Sequence, residues 1–158
     1  MEDMTVPCSE GLISIRVGAI IMKNGRLLMA HNDREDYLYT VGGRVKFGET
    51  AEEAVIREVM EETGVCLETE RLGFINENYF YGDAPSNMGK LIYEIGYYFY
   101  MKVPDDFEPV SRDFMEGSVT EHLVWASPDD DITMYPTFFK TDLKDRHEGV
   151  KFFSNDER

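Results

Sequence analysis

Residues 43–65 read Gly-Arg-Val-Lys-Phe-Gly-Glu-Thr-Ala-Glu-Glu-Ala-Val-Ile-Arg-Glu-Val-Met-Glu-Glu-Thr-Gly-Val, and the reading of this stretch decides the fold. A tight glycine loop runs into a helix with signals at both ends. Thr50 is the predicted N-cap, and Glu53 stands three residues on to close a capping box. Gly64 follows the last turn, where the left-handed residue after a helix is usually glycine. At about 100° per residue, Val55, Ile56, Val59 and Met60 form one apolar arc suited to a sheet. Glu58 and Glu62, spaced i and i+4, fall beside Ala51 and Ala54, with Glu61 next to them. Most glutamate-rich helix faces are simply solvated. Here three acids crowd one turn beside two small side chains, and like charges so placed repel unless a cation compensates them. Crowded oxygens with open space above them describe a site for a hard divalent cation. Arg57, four residues before Glu61, can pair with it and lessen the repulsion.

The spacing is more specific than the composition. Gly43 is followed after five residues by Glu49, then after seven by Arg57-Glu58-Val59-x-Glu61-Glu62-x-Gly64-Val65. A chance match at average residue frequencies is on the order of one in a million for a chain this long. On this box the chain resembles the Nudix hydrolases. The resemblance implies an α+β fold, an α/β/α sandwich with a mixed β-sheet between helices. It also implies a Mg²⁺-dependent pyrophosphohydrolase, with Mn²⁺ as a substitute ion. The expected substrate is a nucleoside diphosphate linked to another group: a nucleotide sugar, ADP-ribose, a dinucleoside polyphosphate or a nucleoside triphosphate.

By the same resemblance, the carbonyl of Gly43 joins Glu58, Glu61 and Glu62 as metal ligands. Arg57 positions the catalytic glutamates, and Glu49 supports the loop or joins the metal shell. The general base is a box glutamate in some relatives and an acid on a distant loop in others. Glu58 and Glu116 are the two candidates here. Arg16, Arg44 and Tyr79 are candidates for substrate binding. The family often has proline before the glycine pair; this chain has Val41, which removes no functional group. Two other readings compete. A non-catalytic nucleotide-sensing domain is disfavoured because every box acid is retained. An RNA 5′-end pyrophosphohydrolase is disfavoured by the acidic balance.

Composition sets the outer bounds. With 158 residues, 42% hydrophobic and 13% aromatic, the chain suits one domain over 1–158, its core at about 12–145 and its C-terminal tail polar. A formal net charge of −15 argues against a nonspecific nucleic-acid binder, which needs a basic stripe. An acidic protein still takes a small nucleotide when bound metal reverses the local field. No apolar run reaches membrane-spanning length, and no signal-peptide core opens the chain. Cys8 and Cys66 form no metal or disulfide framework, which fits a cytoplasmic protein.

Along the chain, residues 1–11 are expected to be a loose lead-in. Ile13–Met22 and Arg26–His31 read as a hairpin about Asn24-Gly25. Arg16 is favoured as an exposed or edge residue, with phosphate or base contact as the functional alternative. Tyr37–Val41 is a strand feeding the glycines. Leu72–Tyr81 and Leu91–Val103 form a second hairpin around the turn-rich residues 82–89. Glu94, alone in its strand, faces solvent or aims at the helix acids. Residues 104–120 are an acidic loop long enough for a lid. Glu121–Ala126 is a strand with Trp125 in the core. Ser127-Pro128-Asp129-Asp130 reads as a helix entry, and Pro136–Leu143 as a helix. Phe152 and Phe153 need cover from the domain or from a second subunit, which points to a homodimer.

Overall fold

Asn24 and Gly25 turn the chain as a two-residue hairpin requires, with φ of 54° and 73°, both in the left-handed region of a type I′ turn. The structure, a computed structural model, describes all 158 residues. Its first elements are β1 (Thr5–Pro7), β2 (Leu12–Ile20), β3 (Met22–Lys23), β4 (Arg26–Asn32), β5 (Tyr37–Arg44) and α1 (Ala51–Thr63). Then follow β6 (Thr69–Tyr81), β7 (Leu91–Met101), β8 (Asp113–Glu116), β9 (Val119–Ala126), β10 (Thr133–Tyr135), α2 (Phe139–Asp142) and β11 (Lys151–Asp156). The strands join in one mixed sheet whose main path runs β11-β6-β7-β2-β5-β4-β9-β8. Strand β2 lies parallel to β7, β6 to β11 and β5 to β10, and the other pairs are antiparallel.

Side chains alternate along β2 as they must on any strand. Val17 and Ala19 pack with Ala54, Val55 and Val59 of α1. Ile20 turns to the opposite face and packs among Phe74, Phe138 and Phe139, beside α2. Burying each such side chain stabilises the fold by roughly 1.5–3 kcal/mol. The helix α1 is capped at both ends. Thr50 Oγ1 accepts from the Glu53 amide at 3.2 Å, and Glu53 Oε2 accepts from the Thr50 amide at 2.8 Å. Gly64 closes it at φ 74°, donating its amide to the Met60 carbonyl.

Several local expectations are corrected. Residues 1–11 are not loose, because β1 pairs with β2 and Asp3 bridges to Lys46. The core does not stop near residue 145 before a polar tail. Strand β11 joins the sheet edge, and Phe153 stacks on Phe138 with ring centroids 4.5 Å apart. Phe152 points outward, 61% exposed. Residues 104–120 are not all loop, since β8 folds back on β9 as a hairpin. Ser127 opens a turn rather than a helix, its carbonyl accepting from the Asp130 amide. The following helix shrinks to the one turn of α2. Trp125 is half-buried, not a core residue. The glycine pair lies inside β5, opposite Gly18 and Val17, so the loop proper begins at Val45. Arg16 is no edge residue, because β7 and β5 flank β2. On α1, Met60 stands 49% exposed while Ala54 is fully buried. The helix is thus rolled relative to the expected arc, which carries Glu62 in toward the sheet. No helix is long and apolar enough to cross a membrane. Both cysteines are free and exposed.

Candidate active site

The two glycines of β5 exist where side chains cannot. A Cβ on Gly43 would sit 2.5 Å from the Glu58 carboxyl carbon, and one on Gly42 would sit 2.2 Å from the Val17 carbonyl oxygen. Contacts under about 3 Å are forbidden, so only glycine lets the acids of α1 press against this strand. The Gly42 amide then donates to Glu62 Oε2 at 3.3 Å. Glu62 is only 9% exposed. Burial pushes its pKa up to about 9, with the charges of Glu58 and Glu116 adding to the rise; the Gly42 amide and Arg16 oppose it. Glu58 is raised too, mainly by burial, against the pull of Arg57.

Arg57 ties the cluster together. Its Nε donates to Glu49 Oε1 at 2.5 Å and its Nη2 to Glu49 Oε2 at 2.9 Å. Its Nη1 donates to Glu58 Oε1 at 2.7 Å, and Nη2 reaches the Arg44 carbonyl at 3.1 Å. The Lys46 amide adds a third donor to Glu49, at 2.9 Å from Oε2. The bond to Glu49, then that to Glu58, outweighs burial and drives the Arg57 pKa upward. Arg57 and the Lys46 amide hold Glu49 below the usual carboxylate range. Glu49 therefore staples the loop to the helix through both oxygens. Glu61 stands at the rim, its side chain 54% exposed, 3.4 Å from Arg57 Nη1.

The remaining candidates are placed unevenly. Glu116 ends β8, exposed, and its charge reaches Glu58, Glu62 and Arg16. Arg16 and Arg44 are cross-strand partners on β2 and β5. Burial alone would lower the Arg16 pKa, but the charge of Glu94, followed by Tyr98, Glu116 and Glu58, raises it on balance. The charge of Glu94 thus bears first on Arg16. Arg44 leans on Asp3 at 3.7 Å, a contact invisible while residues 1–11 are read as loose. Tyr79 lies apart on β6, against Tyr93 and under Arg158, with β7 and β2 between it and β5. The Gly42 amide was missed as a partner of Glu62, although the glycine pair itself signals close backbone approach.

The residues fit a divalent cation. A buried carboxylate and a half-buried one within reach of each other's charge are costly alone and comfortable around a doubly charged ion. The missing Cβ at Gly43 keeps the space beside Glu58 clear. No three acidic, thiol or imidazole side chains, Glu58, Glu61 and Glu62 included, converge closely enough to hold an ion among themselves. An ion such as Mg²⁺ needs no such set, since it uses one or two carboxylates and completes its shell with water and substrate oxygens.

The family model described as NUDIX domain matches residues 13–152. No curated protein matches the chain. Among solved structures, the chain is similar to the MutT NUDIX hydrolase of Burkholderia pseudomallei at 25% identity, covering 81% of this chain and 95% of that one, with a TM-score of 0.59. The MutT protein of Bacillus halodurans shares the fold at 18% identity, with 91% of each chain covered and a TM-score of 0.67. An ADP-ribose pyrophosphatase of Streptococcus suis shares it at 17% identity, covering 88% and 98%, with a TM-score of 0.56. The chain belongs to the NUDIX domain family and is a hydrolase of that family.

Proposed function

We propose that the chain is a Mg²⁺-dependent pyrophosphohydrolase cleaving a phosphoanhydride in a nucleoside diphosphate linked to another group. The observation that carries this reading is the pairing of half-buried Glu58 with buried Glu62 against the glycine pair, where burial and then the Glu58 charge push Glu62 up to about 9. A bound Mg²⁺ supplies charge neutralisation at the phosphates and a more acidic water. Glu58 and Glu62 would hold the ion, with the Gly43 carbonyl and Glu61 as the further ligands. Arg57 keeps Glu58 in place and, through Glu49, fixes the loop that faces the substrate. Arg16 and Arg44 offset the negative charge of the diphosphate from the neighbouring strands. Water attacks one phosphorus, the bridging P–O bond breaks, and the water's proton passes to a carboxylate. Glu116 is the candidate for that base, since its charge bears on Glu58, Glu62 and Arg16 alike; Glu58 is the alternative. A cytoplasmic setting fits the two free cysteines. The test is phosphate or nucleotide release from ADP-ribose, nucleotide sugars, dinucleoside polyphosphates and nucleoside triphosphates, with Mg²⁺ and with chelator. Turnover of at least one class that chelator abolishes is the expected result. No turnover of any overturns the proposal.

A further inference from the structure

The sheet face turned away from α1 carries a row of polar side chains where packing alone would call for apolar ones. Register aligns Asn155, Asn78, Glu94, Ser14 and Thr5 across β11, β6, β7, β2 and β1. Directly opposed residues on neighbouring strands project to the same side, so the five form one line. The next line holds Phe153, Asn76, Gly96, Arg16 and Arg44. The two lines are two residues apart, about 7 Å along the strands.

Two oxygens in the first line are shut away from solvent with no hydrogen-bond partner: Thr5 Oγ1 and Asn78 Oδ1. Ser14 beside them is 4% exposed, and Asn76 in the next line 9%. Asn76 is partly answered, its Oδ1 accepting from Asn155 Nδ2 at 3.1 Å. A buried acceptor left alone is destabilising, and folded proteins rarely keep two in one line without a use for them. Glu94 and Asn78 are only half-buried, so the line is reachable. Asn78 Oδ1 and the two carboxyl oxygens of Glu94 are acceptors, and the Thr5 hydroxyl can accept as well as donate. Such a set waits for donors, meaning hydroxyls or amines. Beyond it stand Arg16 and Arg44; the Arg44 carbonyl accepts from Arg57 of the box, and Gly43 beside it faces Glu58 on the other side of the strand.

We propose that this line is the subsite for the donor-bearing part of the substrate, with Glu94 and Asn78 as its specificity-determining residues. The part bound is the nucleoside's sugar hydroxyls or the amine of its base, held while the attached diphosphate lies along Arg16 and Arg44. This rests on the phosphoanhydride reading above. Tyr98, whose ring lies over Gly18 and Gly96, forms the wall between this subsite and the aromatic core around α2.

The test is calorimetric titration in Mg²⁺ of the parent, Glu94→Gln and Asn78→Leu with the α,β-methylene analogues of ATP, ADP-ribose and UDP-glucose. Methylenediphosphonate, which lacks sugar and base, serves as the reference ligand. The expected result is affinity at least about tenfold weaker in both variants for the nucleoside-bearing analogue that binds best, with methylenediphosphonate unchanged. Glu94→Gln keeps the side chain's shape, so it carries the test should Asn78→Leu fold poorly. Repeating the titration with the inosine and the dideoxyribose forms separates the two sources of donors. Loss of the parent-to-variant difference with inosine assigns the line to the base amine; loss with dideoxyribose assigns it to the sugar. Equal affinity in parent and variants, an equal loss for methylenediphosphonate, or no nucleotide binding by the parent overturns the proposal. Turnover of unmodified substrates by the parent is scored separately and bears on the phosphoanhydride reading alone.

Discussion

The Gly42 amide donates to Glu62 Oε2 at 3.3 Å, and this bond joins the glycine pair of β5 to the last turn of α1. It is the one backbone donor that the Glu62 carboxyl receives, with the charges of Glu58 and Glu116 set against it and that of Arg16 in its favour. Glu62 answers by holding a proton to about pH 9, against an ordinary value of 4.5. The folded chain therefore binds a proton that the unfolded chain releases. That contribution to stability is complete below about pH 4.5 and is lost as pH rises toward about 9, at up to ~1.4 kcal/mol per pH unit. A divalent ion replaces the proton and removes the loss. Thermal melts in chelator are expected to fall steadily across this window, and saturating Mg²⁺ to restore them most at the alkaline end. A flat profile in chelator would sink the account.

The same burial separates stability from activity. Glu62→Gln keeps the shape of the side chain and removes the ionisable oxygen, so the metal-free variant should melt no lower than the parent at about pH 8. Glu58→Gln should behave similarly, losing its bond from Arg57 but also one buried like charge. Turnover, by contrast, should fall by ~10²–10⁴ in each, the range for losing a group that acts in the reaction. Near-parent turnover in both variants would remove these two residues from the chemistry.

Gly43→Ala probes the site without touching an acid. The added Cβ meets the Glu58 carboxyl at 2.5 Å, and that carboxyl is the far end of a flexible side chain. Glu58 should swing aside at little cost in stability. A displacement of about 1 Å at a reacting centre can cost ~10² in rate. Steady-state kinetics should therefore show a large drop in kcat beside a melting temperature close to the parent's. A variant that unfolds, or one that turns over normally, contradicts the geometry.

How much of this was legible in the sequence depends on the range of the interaction. Thr50, Glu53 and Gly64 announced α1 to within a residue, because caps act over three or four positions. Asn24-Gly25 announced its hairpin for the same reason. The box spacing carried Arg57, Glu58 and Glu62 to the site, since one loop and one helix present all three. What failed was long-range. Thr5–Pro7 and Lys151–Asp156 are strands only because β2 and β6 offer them edges, and a short strand has little propensity of its own. Met60 and Ala54 exchanged places because the sheet, not the helix, sets the roll of α1. Tyr79 stands on β6 with β7 and β2 between it and β5, and strand order is the thing periodicity does not encode.

Arg57 permits the last prediction. Its guanidinium spans Glu49, Glu58 and the Arg44 carbonyl at once. A lysine ammonium is a point charge and reaches one of these acceptors at a time. Arg57→Ala should free both acids and the loop, lowering kcat by about 10²-fold and stability by ~2 kcal/mol, the scale of lost charged hydrogen bonds. Arg57→Lys should recover part of the stability, through one ion pair, and little of the rate, because Glu49 and Glu58 are no longer fixed relative to each other. Denaturant melts and initial rates on the same preparations separate the two effects. Full recovery of rate in the lysine variant would mean that charge alone suffices and that the fork spanning helix and loop has no part in placing Glu58.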